Sequence, residues 1–145
     1  MKTSITVPLL VGPALANKAG IFPGSEILKF MGSTCGMAGF RYSQKRVITA
    51  MVGPVSFSQS VALGDLVSCT ADVIYTGRTS MGIQVKLEIE KGDEFILAAH
   101  GFWVMVAVDA NGKPQPITPL VAENDEQKRF YAKAQQMISV LRQFQ

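Results

Sequence analysis

Few side chains in this sequence can do chemistry, and their number and spacing exclude most of the usual arrangements. One histidine, His100, and two cysteines, Cys35 and Cys69, fall short of both a metal-ligand set and a disulfide framework. His100 lies inside a long apolar stretch, where a strand histidine is ordinarily packed or half-exposed. What remains suits the binding of anions and the polarising of carbonyls. Arg78-Thr79-Ser80, directly after Gly77, joins a cation to two hydroxyls and local N–H groups. That combination fits a phosphate contact and equally fits a turn carrying a surface arginine. Gly24-Ser25 stands where a helical pattern begins, so its backbone N–H groups lack intrahelical acceptors and can face a developing oxyanion. Ser25 is also expected to cap that helix.

The elements that hold these residues follow from periodicity. From Gly24 to about Tyr42, Ile27, Leu28, Phe30, Met31, Cys35 and Ala38 form one broad apolar face, with Glu26 at the positive end, which predicts a long helix. Gly32, Gly36 and Gly39 lie along one side of it. Each glycine costs about 1 kcal/mol against alanine in a helix, so the missing side chains must permit either close packing on a sheet or an open pocket for an apolar ligand. Residues 47–52, 66–75, 81–89 and 95–108 read as strands, rich in β-branched and aromatic residues and separated by glycine-containing breaks. A further extended segment is expected at 5–11. Ile83, Val85, Leu87 and Ile89 alternate with Gln84, Lys86, Glu88 and Glu90, giving a strand with one wet face. Residues 102–108 are apolar throughout, so that strand should sit centrally, with Phe57 and Trp103 in the core. Three prolines, Pro114, Pro116 and Pro119, end the sheet. A modestly amphipathic helix is expected at about 124–145, docked on the domain or a neighbour. The fold class is therefore α+β, with a helix covering one face of an antiparallel sheet.

Length and composition agree with one domain over 1–145, its core at about 11–120. The chain has 145 residues, is 48% hydrophobic and 17% charged, and carries a net charge of +3. That excludes a disordered chain, and the scattered basic residues exclude a nucleic-acid stripe. Lys2 followed by an apolar stretch and Ala14-Leu15-Ala16 imitates a secretory signal. Pro8, Gly12 and Pro13 break that stretch, so a signal is not expected. No run approaches the ~20 apolar residues of a membrane helix. A reducing, cytoplasmic setting without a metal site is the expectation.

A resemblance now sharpens this reading. Pro13, Asn17, Gly20, Pro23-Gly24-Ser25 and Leu28 are spaced, without gaps, like the leading segment of the hotdog-fold acyl-CoA thioesterases. Arg46-Val47-Ile48-Thr49-Ala50, Phe57 with Val61 and Gly64-Asp65, Gly77-Arg78-Thr79-Ser80-Met81, and Val106-Ala107-Val108-Asp109 with Gly112 and Pro114 resemble the same family in order and distance. The resemblance covers about residues 11 to 120. It implies a hotdog domain, a long helix wrapped by a curved antiparallel sheet, with sheets paired edge to edge in a dimer. It also implies hexamers built as trimers of dimers, and active sites that take residues from both subunits.

The resemblance further implies hydrolysis of acyl-CoA, with coenzyme A present only as part of the substrate and no other cofactor. Asn17 corresponds to the family's loop asparagine beside the thioester, a role that competes with a plain turn role. Gly24 and Ser25 correspond to a Gly-Gly corner, and Arg78, Thr79 and Ser80 to a segment near the coenzyme. The family's helix aspartate falls on Gly32, which is neither base nor nucleophile. Ser33 and Thr34 project about 100° and 200° away around the helix, and Glu26 is out of phase. Three alternatives follow: an acyl-CoA thioester hydrolase or a weakened descendant of one, a non-catalytic binder of acyl-CoA or an acyl carrier, and an inactive subunit pairing with an active relative.

Overall fold

A computed structural model describes residues 2–145. The elements run β1 (Ser4–Leu10), α1 (Gly24–Ser43), β2 (Arg46–Val52), β3 (Ser56–Phe57), β4 (Leu66–Thr76), β5 (Ser80–Lys91), β6 (Glu94–Val108) and α2 (Asp125–Arg142). The strands form one antiparallel sheet in the order β1-β4-β5-β6-β2, with β3 pairing β6 beside β2. The wholly apolar stretch of β6 is central, and β2 is left as an edge.

Helix α1 lies across the inner face of the sheet. Ile27, Met31, Cys35, Ala38 and Tyr42 are buried there against Val67, Cys69, Ala71, Ile83, Val85 and Trp103. Buried Thr34 satisfies its hydroxyl by donating to the Phe30 carbonyl at 2.8 Å. The glycine row faces the sheet. A Cβ on Gly39 would stand 3.5 Å from Val47 Cγ1 and 3.6 Å from Met81 Cε, and Gly36 lies over Met105 and Gly32 over Trp103. Close packing is thus one use of these glycines. Gly39 is buried, whereas Gly32 and Gly36 are half-buried.

Helix α2 covers the other face at one end, seating Ala134 and Ile138 over Phe102 and Val104. Asn124 caps it, accepting from the Gln127 N–H at 2.8 Å, while Gln127 Oε1 accepts from the Glu123 N–H at 2.7 Å. The outer face therefore has a dry end under α2 and a wet end.

Three sequence expectations are corrected. Ser25 does not cap α1: Pro23 occupies the cap position with no side-chain hydrogen bond, and Ser25 sits exposed in the first turn. Pro23 fits because the cap residue is extended and needs no N–H. Phe57 is not core; it is half exposed, with its ring against Gly24. The two-residue β3 was not expected, being too short to show a period.

Candidate active site

Asn17 is fixed by its own loop. Its Oδ1 accepts from the N–H groups of Ala19 at 3.0 Å and Ile21 at 3.1 Å, and its backbone exchanges hydrogen bonds with Ile21 and Gly20. Gly20 makes the turn at φ +75°, where a side chain would be strained. The turn role is therefore present, and it consumes only the oxygen. Nδ2 has no acceptor among the described residues and remains a two-proton donor at the surface.

This loop and the start of α1 are held side by side by one support. Phe22 N–H donates to Val61 O at 2.8 Å, Leu63 N–H to Gly20 O at 2.8 Å, and Ala62 N–H to the Asp65 carboxylate at 2.8 Å. Phe22 and Val61 are buried, which ties the loop to the core. The Pro23 carbonyl accepts from Glu26 and Ile27, while the N–H groups of Gly24 and Ser25 find no acceptor among the described residues. The loop that ends at α1 thus offers the Asn17 amide, and the helix start two further N–H groups, donors of the kind suited to a carbonyl or oxyanion.

Arg78, Thr79 and Ser80 lie at the other end. Thr79 O accepts from Ala107 N–H at 3.0 Å and Arg78 O from Ile117 N–H at 3.0 Å, and Lys45, just past the end of α1, donates from Nζ to Pro116 O at 2.6 Å. Arg46 and Lys45 line a small cavity of about 470 Å³ with Asp109 and Gln115. The Arg78 side chain is exposed. Twenty residues of helix separate the two ends, a length of about 30 Å. One chain therefore does not bring Arg78–Ser80 to the Asn17 corner.

Between the ends sits Gly32, its notch facing the Trp103 indole. Thr49 on the edge strand lies nearby, its hydroxyl 3.8 Å from the Met105 sulfur that underlies Gly36. Sequence reasoning placed Thr49 in a strand and in a motif of the resemblance without giving it a role; its exposure beside the glycine row is a product of the β2–β6 register. The thiols lie apart from this chemistry. Burial pushes Cys69 up to about 11 and raises Cys35 well above an ordinary thiol, so both are neutral and inert. A cleft of about 890 Å³ lies on the opposite sheet face between Thr70, Lys86, His100 and α2, and neither Asn17, Gly24, Ser25, Gly32 nor Arg78–Ser80 lines it.

A long helix laid across a curled antiparallel sheet, with a donor-rich helix start, defines the hotdog class of α+β folds. The chain belongs to the Thioesterase superfamily, which it matches over residues 20–96. Among relatives, Protein VdlD of Helicobacter pylori is 30% identical over 132 residues, covering 90% of this chain and 75% of that one. The mouse cytosolic acyl coenzyme A thioester hydrolase is 29% identical over 126 residues, covering 83% of this chain. The chain spans only 33% of the length of that relative. An apo-hexameric acyl-CoA thioesterase superposes with a TM-score of 0.90 at 28% identity, covering 97% of this chain and 91% of that one. A Staphylococcus aureus acyl-CoA hydrolase, solved with butyryl coenzyme A and coenzyme A, gives 0.88 at 25% identity, covering 96% and 86%. No helix of the described residues is long and apolar enough to cross a membrane.

Proposed function

We propose that this chain hydrolyses acyl-CoA thioesters to a fatty acid and coenzyme A, slowly, as a dimer within a trimer of dimers. The observation that carries the reading is the set of unpaired donors around the start of α1, the Asn17 Nδ2 of the preceding loop and the N–H groups of Gly24 and Ser25. In the proposed step, water adds to the thioester carbonyl carbon while the carbonyl oxygen, becoming an oxyanion, is held by the helix-start N–H groups. Asn17 Nδ2 donates to the same carbonyl or orients the water. The tetrahedral intermediate collapses, the C–S bond breaks, and the proton given up by the water ends on the departing thiolate. With glycine at position 32 no side chain serves as base there, so the rate rests on binding and oxyanion contacts, which sustain catalysis at a reduced level.

A second copy accounts for the separation between the two ends of α1. β2 is an edge strand with Ile48 and Val52 about half exposed. Antiparallel pairing of two β2 edges would carry the Arg46 end of one chain alongside the Val52 end of the other. Arg78, Thr79 and Ser80 of one copy would then grip the phosphates or pantetheine of a coenzyme whose thioester lies at the corner of the other. The reaction as proposed uses only water and residues of the chain, coenzyme A entering as part of the substrate, in a cytoplasmic setting that suits two free thiols. The test is free-thiol release from acyl-CoAs of several chain lengths by the wild type and by Asn17→Ala. Release by the wild type and its loss in the variant support the reading, and wild-type inactivity at every chain length refutes it.

A further inference from the structure

Trp103 is the only tryptophan of the chain and is buried to 3% exposure, yet no described residue accepts a hydrogen bond from its indole N–H. No buried side-chain nitrogen or oxygen among the described residues lacks a partner, so this N–H still reaches solvent although the ring as a whole is buried. Gly32 lies beside it. The atom nearest to a Cβ built on that glycine is Trp103 Nε1, at 3.6 Å, followed by Cζ2 and Cε2 at 3.8 and 3.9 Å. Two glycines seat the ring. Gly32 leaves the notch above its N–H, and a Cβ on Gly101 would stand only 3.0 Å from Cζ3 and 2.9 Å from Val55. Val55 and Met31 close the far side, so the indole is held in place by packing before any ligand arrives.

An indole N–H that reaches solvent from a buried ring can exchange water for a ligand acceptor, and it then donates from a fixed position. Here the open acceptor position lies at the middle of α1, on the half-buried strip formed by Gly32 and Gly36 beside the β2 edge. Glycine at that point lets a ligand approach the helix backbone closely. The group offered is a neutral donor, which selects an oxygen acceptor and neither a cation nor an alkyl chain.

We propose that the Trp103 indole N–H donates to the carbonyl oxygen of an acyl thioester lying in the notch above Gly32. It would be the second donor to that oxygen, the first being one helix-start N–H, that of Gly24 or Ser25, contributed by the other copy. This rests on the acyl-CoA reading and adds a residue to it. A carbonyl oxygen has two lone pairs, so two donors converging on it is the arrangement that best holds an oxyanion.

The chain's single indole gives a direct readout. The indole N–H resonance of ¹⁵N-labelled wild-type protein is followed during titration with two non-hydrolysable probes, S-(2-oxohexyl)-coenzyme A, which carries a carbonyl, and S-hexyl-coenzyme A, which does not. Binding of each is measured separately by calorimetry. The expected result is a downfield shift of the indole proton with the ketone only, while both probes bind. In parallel, Trp103→Phe, which keeps an aromatic ring and removes the donor, should lower kcat about 10²-fold or more with a small change in KM. Equal shifts with both probes, or binding without any shift, would overturn the role of Trp103 and leave the hydrolase reading standing. Failure of both probes to bind would overturn the two together.

Discussion

Replacing Gly32 by alanine separates a functional glycine from a structural one. On stability the structure gives a definite sign. The added Cβ would meet the indole at 3.6–3.9 Å, ordinary van der Waals contact, and the site is mid-helix. Alanine is favoured over glycine there by about 1 kcal/mol. For a chain of this size, that corresponds to a rise of about 3 °C in Tm. On activity the sign is opposite. A hydrogen-bond acceptor must come within about 2.9 Å of Nε1, and a methyl group 3.6 Å from that atom occupies the approach. Losing one donor to an oxyanion costs about 10²–10³ in kcat. Gly32→Ala should therefore melt higher by calorimetry and release thiol from acyl-CoA at least about 10²-fold more slowly. A variant that is more stable and fully active would refute the notch as part of the site, and a destabilised variant would refute the packing argument.

Gly39 should behave differently, because its Cβ position is already in contact with Val47 and Met81 in the buried core; Gly39→Val should cost about 1–3 kcal/mol by overpacking, read as a lower midpoint in urea. Ile48→Glu, placing a charge on the half-exposed edge strand β2, should dissociate the assembly in sedimentation velocity and lower activity with it, since the proposed site needs two chains. The buried Cys69 has a folded pKa of about 11 against 9.0 for the free group. A raised folded pKa means the folded state holds its proton longer, so this stabilisation is fully present below pH 9.0 and is lost as the pH rises towards about 11. The loss amounts to about 2–3 kcal/mol and is measurable as a falling Tm over that window, with neither thiol reacting with a disulfide reagent until the chain unfolds.

Periodicity was a good guide wherever burial is one-sided. The α1 apolar face, the alternation along β5 and the unbroken apolar run of β6 each report a single packing surface, and each element fell where the pattern placed it. Short or capping features were less legible. Ser25 carries the composition of a cap, but the preceding proline already supplies the extended backbone, and position relative to a helix start is fixed by geometry that composition does not encode. Phe57 is apolar and looked like core, yet the two-residue β3 stops before the sheet covers it. Of the residues proposed for the site, Asn17, Gly24 and Arg78 were visible as types in a spacing. That Asn17 spends its oxygen on the loop and keeps its amide free could be learned only from the hydrogen bonds. The Trp103 N–H was invisible for a different reason: it is opposed to Gly32 by the crossing of α1 over β6, a long-range contact between residues that share no local pattern.

The central claim is that the chain turns over acyl-CoA and does more than hold it. Wild-type protein is mixed with a large excess of acyl-CoA, and free thiol and free fatty acid are both quantified against time. The account predicts equal amounts of the two, rising well beyond one equivalent per chain. Saturable binding of acyl-CoA with no thiol released beyond the uncatalysed rate would contradict it.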